Sequence, residues 1–392
     1  MKLKRQPEDF QVEEIPIATP SDRGRYTFYR LSKKGIGTIE AVDAICRRWN
    51  IPRGRVAYGG LKDRHAVTVQ YLTIFDGPAH AIRQPNLDLE PIGKLERAYG
   101  PQDFSGNRFV VVLRDLTPGA AAEAGRRLDA AGNDGVPNYF DDQRFGSVGF
   151  SGEFIGQAWL VGDYEKALRL ALADANPFDR SETKARKAAL REHWGDWPAA
   201  KAALDRSSER SIVTYLVDHP TDFAGAFARL KKDLRSLYFA AFQSWVWNLM
   251  LAGWIERNTS PEQRALVELK VGALTFPSGL DPDQRRLIDA TAIPLPSSRT
   301  PPPDGPLGEI AADALAAFGL TWADMRVKKL KDVFFSKGVR KPLIPLGEVR
   351  SEVLDDEFRK GRKAVRLEFT LPKGAYATML VKRITETSGP GA

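Results

Sequence analysis

The chain has 392 residues, of which 43% are hydrophobic and 28% charged, so it can bury a core in two domains, or three at most. Its formal charge of +8 and pI near 9.4 incline it toward a nucleic-acid partner, an inclination shared with many basic enzymes that bind none. A single cysteine, Cys46, excludes an internal disulfide. The four scattered histidines form no His/Cys metal constellation, and with neither a G-x-G-x-x-G nor a G-x-x-x-x-G-K-[ST] run, a nucleotide cofactor has no support.

From the N-terminus, Met1–Asp9 has no apolar stretch of the signal-peptide kind. Tyr26–Leu31 reads as a strand. Thr38 is a plausible N-cap for a helix to Trp49, with Ile39, Val42, Ile45, Cys46 and Trp49 on its apolar face and Pro52 beyond its end. Cys46 then reads as a buried thiol, in keeping with a reduced cytoplasm. Strands follow at Val67–Ile74 and Phe109–Arg114, the second a continuous apolar run of the kind covered on both faces. Residues 119–132 are alanine-rich and helical in pattern.

The character changes near residue 145. From there to about 260 the pattern is helical, charged, and rich in Ala, Leu and Arg. The apolar stretch Phe239–Ile255 is interrupted by Gln243, Ser244 and Asn248, which marks a buried helix and not a membrane span. Pro294–Pro306 reads as a stiff extended linker. The strand pattern returns at Ala364–Leu371. The economical reading is a discontinuous domain of residues 1–145 with 345–385, a domain of residues 146–344 inserted within it, and a disordered tail over 386–392.

Residues Gly59–Gln70 carry the most chemistry. Two glycines allow a tight turn, and a lone carboxylate, Asp63, sits among Lys62, Arg64 and His65 at the mouth of a strand. An acid in a basic setting can serve as nucleophile or base. An ordinary surface turn with solvated charges fits the same residues.

Separated segments then point one way. Gly60-Leu61-Lys62-Asp63-Arg64-His65-Ala66-Val67-Thr68-Val69-Gln70 resembles the G-x-K-D-x-x-A-x-T-x-Q signature of the TruD family of pseudouridine synthases. Glu8-Asp9-Phe10-Gln11-Val12-Glu13-Glu14 is similar to that family's E-D-F-x-V-E-E, and Gly106-Asn107-Arg108-Phe109 to its G-N-x-F. Val136–Gly146 resembles V-P-N-Y-F-G-x-Q-R-F-G, with Asp141 where the family has glycine. Leu371–Thr378 matches L-P-x-G-x-[FY]-A-T. Fainter echoes are Ile155-Gly156-Gln157-Ala158 and Gln243-Ser244-Trp245-Val246-Trp247-Asn248.

The resemblance implies an α+β protein. It would have a pseudouridine synthase core on a mixed, largely antiparallel sheet, plus an inserted, mainly helical α/β TRUD domain. It implies isomerisation of uridine to pseudouridine in RNA, at position 13 of tRNA of the tRNA-Glu type, without a cofactor. The uridine must leave its stack to react. Asp63 is the catalytic candidate. Phe10 and Tyr376 are candidates for stacking on the base, Asn107 for orienting Asp63 or the uridine, and Lys4 for meeting a phosphate or the acid. If the family glycine at position 141 has positive φ, Asp is among the better tolerated replacements, though the turn before Gln143 would be altered.

Three basic clusters are candidates for an RNA-binding surface: Arg47/Arg48/Arg53/Arg55, Arg326–Lys341 and Arg359–Arg366. Partners are then tRNA, with no membrane and no nucleotide cofactor; the protein is expected to be cytoplasmic and monomeric, since reading RNA shape needs no second copy. An RNA-binding or tRNA-folding chaperone on the same fold is the alternative. A metal-dependent nuclease or deaminase lacks its ligand residues.

Overall fold

The computed structural model describes residues 5–385. Lys4 and the tail 386–392 lie outside the described residues. The described chain divides into two compact units, one made of the residues up to Val136 together with Ile344–Thr385, the other of Pro137–Leu343.

The first unit is built on one nine-stranded sheet. Its strands are β1 (Phe10–Pro16), β2 (Tyr26–Lys34), β3 (Val56–Tyr58), β4 (Val67–Phe75), β5 (Ile82–Gln84), β6 (Leu87–Leu95), β7 (Phe104–Leu116), β8 (Gly347–Asp355) and β9 (Lys363–Pro372). Their order is β8-β9-β7-β1-β4-β2-β6-β5, with β3 paired to β4. Every pairing is antiparallel except β1 with β4, which run parallel with Gln11 opposite Val67 and Val12 opposite Thr68. The sheet is therefore mixed and largely antiparallel.

Helix α1 (Thr38–Trp49) packs Ala41, Val42 and Ile45 onto Tyr29, Leu31, Leu72 and Ile74. Val42, Ile45, Leu31, Leu72 and Ile74 each contribute about 1.5–3 kcal/mol by leaving water. The helix differs from its expected form in three respects. Its N-cap is Gly37, whose N–H donates to Glu40 Oε2 at 2.9 Å, because the Thr38 hydroxyl is engaged elsewhere. Ile39 is 52% exposed and Cys46 is only partly buried, since the face that meets the sheet runs through Thr38, Ala41, Val42 and Ile45. Helices α2 (Pro118–Asp134) and α3 (Ala377–Thr385) pack on each other, and α2 also packs on β8 and β9. The buried ion pair Arg383–Asp134, 3.3 Å, joins α3 to α2.

The second unit is mainly helical around the 26-residue helix Lys232–Arg257. Among the described residues, no helix is long and apolar enough to cross a membrane. The Ile155–Leu160 helix packs against it at Gly156, where a Cβ would lie 3.0 Å from the Tyr238 carbonyl oxygen. Gln243 donates to the carbonyls of Pro296 and Ser336 and accepts from the Ser336 N–H. Asn248 accepts from the Phe140 N–H and donates back to its carbonyl, at 2.8 and 2.9 Å. These polar residues, which break the apolar run in sequence, fasten loop backbone that would otherwise be buried unpaired. The expected linker is shorter than Pro294–Pro306: Ile293–Pro294 pairs with Val339–Arg340, and a helix begins at Gly305 with Pro306 in its first turn. Asp141 has φ −89°, an ordinary extended value, so the residue is accommodated without left-handed strain.

Candidate active site

The site is assembled where β1 and β4 run parallel. Alternation puts Phe10, Val12 and Glu14 on one face of β1, and antiparallel register with β7 sets Val12 opposite Phe109 and Glu14 opposite Asn107. Asn107 in turn lies opposite Leu371 of β9, and the chain turns from there through Tyr376 into α3. Gly106 is opposite Pro372, and a Cβ on it would stand 2.3 Å from the Leu371 carbonyl oxygen. The glycine of the Gly-Asn pair is thus fixed by the close approach of β9.

The segment leading to Asp63 is clamped from several sides. The Lys62 N–H donates to Thr38 Oγ1 at 2.9 Å, that hydroxyl donates to Gln70 Oε1 at 2.8 Å, and Gln70 Nε2 donates to the Gly60 carbonyl at 3.2 Å. Gln70, eight residues into the motif from Lys62, therefore ties strand β4 back to the turn that precedes it. Neither Gly59 nor Gly60 has positive φ. Gly59 is required by crowding, since a Cβ there would stand 2.7 Å from the Phe104 ring, while the space beside Gly60 is open.

Lys62 is the hub of a buried polar group. Its ammonium donates to Asn107 Oδ1 at 2.8 Å and lies 2.8 Å from Glu14 Oε1, an ion-pair contact outside aligned hydrogen-bond geometry. It also sits 5.1 Å from the centre of the Phe104 ring, with Lys373 at 5.2 Å from the same ring. Glu14 Oε2 accepts from the Tyr71 N–H at 3.1 Å and from the Tyr99 hydroxyl at 3.3 Å. Burial and then the Glu14 carboxylate push the Tyr99 phenol far above its ordinary range, so it remains a donor.

Lys33 provides the second anchor. It is 2% exposed, and its ammonium donates to the carbonyls of Ile36, Lys62 and Asp63 at 2.8, 3.4 and 2.9 Å. Burial pushes it down to about 8, opposed next by the attraction of Asp63. This makes Lys33 a cation that feels the Asp63 charge while holding its backbone. Sequence reading passed it over, although a signal existed: Tyr29, Leu31 and Lys33 share the buried phase of β2.

The four described candidates belong to one unit and to neighbouring strands or the turns at their ends. Asp63 is exposed and Tyr376 half-buried. Phe10 is buried, with its ring edge against Phe109 at 6.1 Å, and Phe109 stacks on Phe369 at 5.4 Å. Asp9, its neighbour in the opening motif, is buried and accepts from Arg114 Nε at 2.8 Å.

Two of the three basic clusters are less available than their sequence suggests. Arg55 donates to the carbonyls of Phe75 and Asp76, while Arg47 and Arg48 remain exposed. In the third cluster, Arg359 and Arg362 pair with Asp115 at 3.1 and 2.8 Å, Lys363 pairs with Asp355, and Arg366 with Glu368. Among the described residues, no group of three or more His, Cys, Asp or Glu side chains is placed to hold a metal ion.

The relationships to known proteins follow the same layout from end to end. The probable tRNA pseudouridine synthase D 1 of Methanococcus maripaludis is 29% identical, across 98% of this chain and 99% of its own. A second archaeal relative, the probable tRNA pseudouridine synthase D 2 of Methanocaldococcus jannaschii, is 31% identical across 98% and 91%, and the tRNA pseudouridine synthase D of Aquifex aeolicus 28% across 98% of each. The crystal structure of a Methanosarcina mazei protein that carries the TruD name superposes with a TM-score of 0.80 at 26% identity, covering 98% of this chain and 93% of that one. The model of the tRNA pseudouridine synthase D family matches residues 1–384, so that the sheet, the clamped Asp63 turn and the second unit all fall within the match; the chain belongs to the tRNA pseudouridine synthase D (TruD) family.

Proposed function

We propose that the protein converts uridine to pseudouridine in tRNA, with Asp63 as the catalytic carboxylate, and that its preferred site is position 13 of tRNA-Glu-type substrates. The first unit is then the catalytic domain and the second an inserted TRUD domain, in a protein that works as a monomer. The observation that carries the reading is the double clamp on the Asp63 turn. Lys33 holds its carbonyls, and Lys62 joins that turn to Asn107 and Glu14 on the two neighbouring strands.

The reaction breaks the N1–C1′ bond, turns the uracil, and joins C5 to C1′; the proton on C5 is lost and one is gained at N1. The uridine leaves its stack first, and the half-buried ring of Tyr376 is the surface on which it stacks. Asp63 acts at the sugar in one of two ways. It attacks C1′ as the uracil departs and is itself displaced by C5, or it removes the C2′ proton as the uracil departs to give a glycal, and returns that proton to C2′ as C5 bonds to C1′. A carboxylate at an anomeric carbon suits the first for the reason it suits glycosidases. In both routes rate depends on the acid being held before the base arrives, and a rigid turn avoids reorganisation in the transition state. Lys33 and Lys62 act through Asp63 and Asn107 and are positioning residues.

The test is incubation with unmodified tRNA transcripts, without metal or nucleotide, followed by pseudouridine mapping. Product at one uridine supports the reading. A folded protein that yields none on any tRNA, yet still binds RNA, points to the chaperone role.

A further inference from the structure

The second unit holds a basic cleft that no step of the proposed chemistry uses. Its volume is about 540 Å3, and Arg299, Arg326, Lys331 and Phe334 line it over Met325 and Leu330. Arg326–Lys341 carries seven Lys and Arg residues and one acid, Asp332. That acid is withdrawn: both its oxygens accept from the Arg235 guanidinium at 2.8 Å. Among the described residues, Arg299, Arg326 and Lys331 have no carboxylate within ion-pair distance, in contrast to Arg359 and Arg362, which share the Asp115 carboxylate. The cleft therefore keeps its positive charge.

Its aromatic lining is equally unusual. Phe334 is 63% exposed, while its neighbours Val333 and Phe335 are buried and fix the backbone. The Arg299 guanidinium lies over the Phe334 ring, 5.4 Å from its centre, so that a flat cation and a flat ring stand together in the cleft. A second hollow shares Ser298, Arg299 and Arg326 and adds Trp322 and Pro301. The Ser298 N–H donates to the Met325 carbonyl at 3.0 Å, which ties the 298–300 segment to the 325–334 segment. An apolar pocket would lack the cations, and a bare polyanion site would have no use for an exposed ring.

We infer that this cleft binds an unpaired stretch of the RNA substrate, one base stacking on Phe334 and the flanking phosphates meeting Arg299, Arg326 and Lys331. Stacking on a ring or guanidinium is the general way proteins hold single-stranded RNA, and cations track its phosphates. The inference rests on the proposed RNA-modifying function only for the identity of the RNA.

The experiment measures affinity of the full chain for an unmodified tRNA transcript between 50 and 300 mM salt, with pseudouridine formation followed in parallel. Phe334→Ala should weaken binding about 5- to 100-fold with the salt slope unchanged. The Arg299→Gln/Lys331→Gln pair should flatten the slope by about 0.7–0.9 for each phosphate that is no longer neutralised. Phe178→Ala, which removes another exposed ring, should change neither. Across a titration of RNA, Phe334→Ala should raise KM and keep the saturating rate kcat, whereas Asp63→Asn should lose kcat and keep affinity. RNA affinity and slope unchanged in both cleft variants would overturn the inference and leave the cleft to a protein partner. If the wild-type protein forms no pseudouridine, the catalytic reading fails, while the affinity series still decides the cleft.

Discussion

Lys62 Nζ lies 2.8 Å from Glu14 Oε1, with the lysine side chain 9% exposed and the glutamate fully enclosed. The residue next to the proposed catalytic acid is thus committed to a strand on the far side of the parallel seam. Removing only the cation leaves the Glu14 carboxylate buried and uncompensated, so Lys62→Met should cost about 3–5 kcal/mol of stability. Adding Glu14→Gln should recover part of that loss, because the two sites share one interaction. Turnover should stay low in both, since neither restores the donor to Asn107. Denaturant midpoints and pseudouridine yield on the same samples check the two halves separately.

Lys33 makes a prediction about pH. Its folded value near 8 lies below its unfolded value, so the folded protein holds fewer protons between the two and Lys33 penalises folding fully only below 8. Folding stability should therefore gain from Lys33 as pH rises from 8 toward 10.5. Over the same window the ammonium that gathers the carbonyls of Ile36, Lys62 and Asp63 is lost. Turnover should fall above pH 8 while stability does not. Lys33→Met should be slow at all pH values and lack that limb; a wild-type rate flat from pH 7 to 9.5 would contradict the anchoring role.

Phe10 and Tyr376 should separate by what they lose. Phe10 is buried against Phe109, so Phe10→Ala should cost about 3–5 kcal/mol of stability as a core truncation. Tyr376 is half-buried on a turn, and Tyr376→Ala should leave the unfolding midpoint near wild type while lowering turnover. Thermal melts beside single-turnover rates distinguish them.

Gly106→Ala should be harmful despite being a one-carbon change. The added Cβ meets backbone, the Leu371 carbonyl, and not a side chain that can swing aside. Overpacking of this kind costs about 1–3 kcal/mol. The shift of β9 should also move the Tyr376 turn, and hydrogen exchange at residues 369–376 would report it.

Local pattern carried much of the fold. Strand β9 and the alanine-rich α2 were legible because burial alternates with exposure along them, and β2 and β4 because β-branched and aromatic residues mark a strand even where, as over Gln70–Ile74, both faces are covered. Thr38 was legible as a helix start but not as the hydroxyl that joins Lys62 to Gln70, since a bond across 24 residues competes with capping and leaves no periodic trace. The same limit hid the pairing of Arg359 and Arg362 with Asp115, which leaves an apparent basic patch with less free charge than its sequence suggests. Asp63 was visible in sequence, whereas its anchors, Lys33 and the Glu14–Lys62–Asn107 group, exist only once strands β1, β2, β4 and β7 lie side by side.

The most direct measurement is pseudouridine mapping on unmodified tRNA with the wild-type protein and Asp63→Asn, each checked for tRNA affinity. The wild-type protein should convert one uridine, and Asp63→Asn should bind the tRNA equally while turning over about 100- to 10,000-fold more slowly. Wild-type turnover retained by Asp63→Asn would contradict the assignment of the catalytic carboxylate.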